Sequence, residues 1–217
     1  MYRAIVAVAL VVFAGTTIAD QWLPATPQTF VSYFGAYRLT VFPREVSSPL
    51  AYFEDLLKGA QPAGQPADGP LHCEATMERL VDNHYVEQWR RPLVNDVSPV
   101  TALVSDASGA FVTFDNWHSM GCCGDTVVIY NSAGNVVRKF SLVELLGKTE
   151  VSKLARTVSS TYWGGEHQLG WVENSEVVNL KVIVNGKFPG DPDVEYTTMP
   201  IRLHDGEILV SKEAPPN

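Results

Sequence analysis

Between Val112 and Tyr130 (VTFDNWHSMGCCGDTVVIY) the chain gathers Asp115, Asn116, His118, Ser119, Cys122, Cys123 and Asp125 within a dozen positions. These residue types support three chemistries. Asp115, His118 and Ser119 offer a carboxylate, an imidazole and a hydroxyl, the parts of an activated nucleophile. His118, the two cysteines and either aspartate offer nitrogen, sulfur and oxygen donors to a metal. The adjacent thiols, set between Gly121 and Gly124, offer redox chemistry.

Spacing weakens each in turn. Trp117-His118-Ser119-Met120-Gly121 is one residue from the G-x-S-x-G nucleophile elbow, whose first glycine is required by a turn too tight for a side chain. Trp117 stands in that place. The elbow also needs a helix directly after the serine, whereas Thr126 to Tyr130 reads as a strand. Tetrahedral zinc sites take cysteines two to four residues apart; neighbours on an extended chain point opposite ways, and His167 and His204 are isolated, read as turn or surface residues. The acidic turn Asp191-Pro192-Asp193 with Glu195 lacks EF-hand spacing. Redox enzymes place their cysteines as Cys-x-x-Cys at a helix start, which this pair is not. No metal and no cofactor is expected. The stretch reads instead as a structured loop joining two strands, its polar residues bonding backbone that cannot join a ladder. Asn116, Trp117, His118 and Asp125 are its candidate ligand contacts, since function concentrates on loops held by a rigid sheet.

The elements that must hold this loop are mostly strands. Tyr37 to Val41 alternates in polarity, and hairpins are expected where Asp82-Asn83-His84, Asn131 to Asn135, Glu173 to Glu176 and His204-Asp205-Gly206 interrupt β-rich runs. The last of these joins Ile201–Leu203 to Ile208–Val210. Two short helices are signalled by their caps: Ser48-Pro49 to Lys58 with Gly59 beyond, and Ser141 to Leu146 with the Ser-x-x-Glu box through Glu144. A third, Val151 to Arg156, is possible on pattern. Residues 59–70 (GAQPAGQPADGP) form a Pro/Gly-rich loop, expected to be mobile.

Residues 1–19 read as a signal peptide: Arg3, an apolar run from Ala4 to Ala14, and small residues at Thr17 and Ala19 before Asp20. The run is shorter than the about 20 residues of a spanning helix, so no membrane span is expected after cleavage. Residues 20–217 would then be one β-rich domain in the periplasm or secreted to the medium. The net charge of −8 and the scatter of basic residues argue against nucleic acid as a partner. Three cysteines allow at most one internal bridge. Cys73 with Cys122 or Cys123 is the expected pair, because adjacent Cα atoms lie about 3.8 Å apart, below the usual disulfide range of about 4.4–6.8 Å.

Ser32 to Phe42 and Ser105 to Asp115 echo one another: Ser, a short turn, Gly-Ala-aromatic, then an alternating strand. Residues 100–140, with this S-x-x-G-x-[FY] opening, are similar to one four-stranded blade of a β-propeller. A closed ring needs at least four blades of roughly 40–50 residues, more than this chain holds. The expected fold is therefore all-β, with antiparallel hairpins in propeller-like sheets that do not close, plus two or three short helices. Over residues 94–146 the chain also resembles a family of exported bacterial proteins, uncharacterised in activity, whose centre runs LVSD–G–FVTFDNWHSMG–G. That resemblance implies a compartment and no reaction. The functional expectation is a non-catalytic binding module for a protein or a small extracytoplasmic ligand. Trp89, Trp117, Tyr162, Trp163 and Trp171 are its candidate aromatic contacts. The alternative is a hydrolase or metal-dependent enzyme centred on Asp115, His118 and Ser119.

Overall fold

The computed structural model describes residues 24–117 and 119–209; residues 1–19, expected to be a signal peptide, Val210 and His118 lie outside the described residues. Eleven strands form three antiparallel meanders. Sheet I holds β1 (Gln28–Val31), β2 (Tyr37–Phe42), β3 (Glu74–Val81) and β4 (His84–Pro92), with helix α1 (Pro49–Lys58) inserted after β2. Sheet II holds β5 (Thr101–Val104), β6 (Phe111–Phe114), β7 (Val127–Tyr130) and β8 (Val136–Phe140). Helix α2 (Leu142–Lys153) leads to sheet III, formed by β9 (Gln168–Val172), β10 (Ser175–Ile183) and β11 (Tyr196–Arg202) in the order β11-β10-β9. Among the described residues the fold is all-β with two helices and no closed barrel or ring, as the sequence leads one to expect.

Sheet II lies between the other two. Every residue of β6 and β7 is buried, which explains why they read as unbroken runs, FVTF and VVIY, rather than alternating ones. Registers assign the two faces. Ala102, Val104, Phe111, Val128 and Tyr130 pack on Leu39, Val41, Ala75 and Met77 of sheet I. Val112, Phe114, Val127, Ile129 and Phe140 pack on Val178, Leu180, Val182 and Ile201 of sheet III. No buried cluster among the described residues combines sheets I and III.

Local signals behave as their chemistry requires. Asp82-Asn83 and Glu173-Asn174 sit at positive φ in two-residue hairpin turns. Ser48 caps α1 by accepting from the Ala51 N–H at 3.1 Å, and Gly59 ends it at φ 73°. Helix α2 has the Ser141–Glu144 capping box and breaks at Gly147, whose φ of 78° and ψ of 153° end the first short helix as expected. The second half stops at Lys153, so the helix expected over Val151 to Arg156 is not formed there and Arg156 bridges Thr161 instead. The 59–70 loop is pinned at its centre: Arg44 donates to the Ala63 carbonyl at 2.9 Å, and the Gly64 N–H donates to Asp55 at 2.9 Å.

The C-terminal hairpin differs from expectation. Ile201 and Ile208 meet only as an isolated bridge around His204-Asp205-Gly206, while residues 196–202 form a full strand. Pro200 hid that strand in the sequence; β11 is an edge strand, where a proline is tolerated.

Leu180 is fully buried where sheet III meets sheet II. Leu180→Ala is expected to destabilise the fold by about 2–5 kcal/mol in urea unfolding, through lost burial and the cavity left between the sheets. A loss under about 1 kcal/mol would mean that the two sheets do not pack through this side chain.

Candidate functional site

The loop from Asp115 to Thr126 leaves β6 and returns to β7 at one end of the three-sheet stack. Its neck is closed by the Asp115 N–H donating to the Thr126 carbonyl at 2.8 Å, one step beyond the β6–β7 ladder. Asp115 adopts φ 56° and is 7% exposed. Its Oδ1 accepts from the Gly121 N–H at 2.7 Å and from the Trp163 indole N–H at 3.0 Å. On the other side Asn95 donates to the Asp115 carbonyl at 3.0 Å and to Asn116 Oδ1 at 3.1 Å, while accepting from the Thr113 hydroxyl at 3.1 Å. Asn116 in turn donates to Asp125 Oδ1 at 3.0 Å. The loop is thus tied to the β4–β5 connection through Asn95 and to the α2–β9 connection through Trp163.

A second set of bonds fastens it to residues 159–161. Ser119 Oγ donates to the Ser159 carbonyl, the Met120 N–H donates to Ser160 Oγ at 3.2 Å, and the Thr161 N–H donates to the Met120 carbonyl at 2.9 Å. Gly121, at φ 65°, passes so close that a Cβ there would lie 2.8 Å from the Thr161 carbonyl oxygen. No helix follows Ser119; the chain turns through residues 120–126 straight into β7. Asp115 and Ser119 therefore bond in different directions, each to groups that fix the loop, and the nucleophile-elbow geometry is not formed. Among the described residues no three His, Cys, Asp or Glu side chains converge as metal ligands.

The cysteine pairing reverses expectation. Cys122 and Cys123 are bonded to each other, and Cys73 is a free thiol buried between sheets I and II. The Cα-separation rule describes bridges between separate pieces of chain. Adjacent residues close a small ring instead, and here the turn supports it with Gly121 at φ 65° and Cys123 at φ 74°. Burial pushes the Cys73 thiol up to about 12, which leaves it unreactive.

Of the four candidate ligand contacts, Asn116 is buried and Asp125 is held by it; His118 lies outside the described residues. Trp117 reaches a recess. It packs edge-on against Tyr52 of α1, centroids 5.8 Å apart, and lines a cleft of about 410 Å³ with Pro24, Pro27, Phe42, Pro43 and Val97. Beneath this cleft Arg44, 1% exposed, donates to Asp96 at 2.9 Å, and Asp96 also accepts from the Tyr52 hydroxyl at 2.9 Å. The other aromatic candidates divide: Trp163 is core, Trp89 stacks on Phe111 and donates to the Ser132 carbonyl at 2.7 Å, and Trp171 is exposed.

His167 also departs from its expected surface role. It lies between the rings of Phe114 and Trp163, at 4.6 and 4.7 Å, and its Nδ1 accepts from the Lys181 N–H at 3.1 Å. Trp163 lies only four residues away, but Phe114 and Lys181 are distant in sequence, so the enclosure is not announced by neighbours alone. Comparison with protein-family models, with curated proteins and with solved structures finds no match.

Two groups here, the buried Asp115 and the half-buried His167, titrate in opposite senses. Burial raises the Asp115 carboxyl from 3.8 to about 6 against the pull of the Gly121 and Trp163 N–H donors, and nearby Asp125 adds to the rise. Burial lowers His167 from 6.5 to about 4. Between pH 4 and 6 the folded chain keeps a proton on Asp115 that the unfolded chain releases, so this group stabilises acid and loses that effect as pH rises. Across about pH 4–6.5 the unfolded chain protonates His167 and the folded chain does not, so this group destabilises acid. The two slopes oppose. Asp115→Asn should leave the histidine slope, with stability falling more steeply than wild type from pH 6.5 to 4, by on the order of 2 kcal/mol. His167→Gln should tilt the profile the other way, in the sense that Asp125, also raised by burial, shares. Urea titrations across this range that stay parallel for all three proteins would refute the assignment.

Proposed function

We propose that the protein is an exported, non-catalytic binding module that holds a segment of a partner protein or a small extracytoplasmic ligand in the cleft beside Trp117. The observation that carries this reading is the division within the loop. Asp115, Asn116 and Ser119 are turned to structural partners, while Trp117 lines a recess. Prolines and aromatics form most of that recess and move little, so a ligand entering it loses little freedom in the walls. Such surfaces suit an extended apolar segment, above all a polyproline-type one, whose preformed shape needs little ordering. The acidic charge of −8 disfavours nucleic acid. Export rests on the leader pattern of residues 1–19, and mature protein recovered from an exporting host should begin at Asp20 by intact mass. Among the described residues no helix is long and apolar enough to cross a membrane.

The binding test uses a proline-rich decapeptide titrated into isotope-labelled protein. Amide shifts should cluster on residues 42–46, Val97 and the Trp117 indole, and Trp117→Ala should weaken binding roughly tenfold or more with the fold retained. Shifts gathered elsewhere, or affinity unchanged in Trp117→Ala, would count against this cleft.

A further inference from the structure

The cysteine pair takes no part in the cleft. Gly124, the residue after Cys123, lines a different recess, a shallow one of about 610 Å³, with Val136, Arg138, Lys139, Ser141 and Glu144. Cys123 is exposed and Cys122 half-buried. Gly124, beside the exposed Cys123, has open space where a side chain would stand. Arg138 and Lys139 supply positive charge on the wall of the recess.

We propose that Cys122–Cys123 is a thiol–disulfide exchange site, opened in the folded protein by small or protein-borne dithiols that arrive through this recess. An external thiolate attacks the more accessible Cys123 sulfur, forming a mixed disulfide there and breaking the Cys122–Cys123 bond. Cys122 leaves as a thiolate and takes up a proton. The second thiol of the same reagent, deprotonated, then attacks the reagent sulfur of the mixed disulfide. Cys123 is released as a thiolate and is protonated in its turn. The reagent departs as its own disulfide, and the protein has gained two electrons and two protons.

Opening the ring has a local consequence. Cys123 sits at φ 74°, where residues with a side chain are uncommon, and the ring holds it there. Gly121, one residue before the pair, donates the hydrogen bond that Asp115 receives. Release of Cys123 toward ordinary backbone angles loosens that bond, so the loop between β6 and β7 becomes the element that reports the redox state. Cys73 cannot substitute for either partner, being fully buried between sheets I and II.

The test is a thiol census on native wild-type protein by intact mass, using N-ethylmaleimide and phenylarsine oxide, before and after dithiothreitol. Before reduction the folded protein should take no label. After reduction it should take two maleimides, or a single arsenical that bridges two thiols, with near-UV circular dichroism essentially retained. Diamide should restore the unlabelled state. Cys122→Ser and Cys123→Ser should each abolish arsenical bridging, and Gly121 amide exchange should quicken at least tenfold on reduction of the wild type. The proposal is overturned if dithiothreitol exposes thiols only together with loss of the near-UV signal. It is equally overturned if the pair stays unlabelled in folded protein that labels once denatured, or if Gly121 exchange is unchanged.

Discussion

The double burial of sheet II is the constraint on which the rest of the molecule depends. A four-residue strand such as β6 cannot alternate polar and apolar residues when both of its faces are covered, so Phe111, Val112, Thr113 and Phe114 are all buried. Thr113 is the one polar member, and its hydroxyl is satisfied by Asn95. The next residue, Asp115, emerges into a place overhung from both sides, by the β4–β5 connection and by the α2–β9 connection. A buried loop must find partners for its backbone and polar side chains within the protein. Asn95 provides them from one side and Trp163 from the other, so the bonds that complete the loop also join the three sheets at this end.

Why the stack stops at three sheets follows from its outer faces. On sheet I, registers place Arg38, Thr40 and Phe42 beside Glu78, Thr76 and Glu74, opposite the face that packs on sheet II. Arg38 pairs with Glu78 at 2.6 Å, and Arg90 with Glu74 at 2.8 Å while covering the ring of Phe42. These ion pairs are partly exposed and add little stability, but a further sheet could not bury them without a large desolvation penalty. Sheet III presents Lys181 outward, paired with Glu166. The long edge strand β4 is blunted too, by a bulge at Gln88, by Arg90 and Arg91 and by Pro92 at its end. Sheet II, residues 100–140, is thus apolar on both faces, while sheets I and III carry ion pairs on theirs.

What the sequence makes legible is what short-range chemistry decides. The Asp82-Asn83 turn, the Ser48 and Ser141 caps and the break at Gly147 each depend on residues within a few positions, and each can be read directly. The loop after β6 can be located, and its turn into β7 foreseen, because Val127 to Tyr130 permits nothing else at that length. Its internal wiring cannot. Trp163 lies 48 residues from the carboxylate it serves, and Ser159 lies 40 from Ser119. His167 looks like a lone histidine until Phe114 and Trp163 enclose it. The disulfide is illegible for another reason: the Cα-distance rule holds for separated segments, whereas between neighbours ring closure and two positive-φ residues set the outcome.

The resemblance of this loop to a catalytic constellation has a physical origin. Aspartate, asparagine and serine are the short side chains able to bond nearby backbone, which is the property wanted both in a catalytic centre and in a loop that must be buried. Residue type cannot separate the two uses; the direction of the remaining hydrogen-bonding capacity can. Asp115 Oδ1 already accepts from Gly121 and Trp163, and Ser119 already donates to a main-chain carbonyl. A hydroxyl held by a carbonyl is not activated as a nucleophile, because a carbonyl cannot take its proton. What remains on the outside is chemically different: an aromatic ring at a recess and a sulfur pair whose second member is exposed. The proposed binding surface and the proposed redox-sensitive hinge thus sit on one loop held by its polar residues, and neither requires a reaction at Asp115 or Ser119.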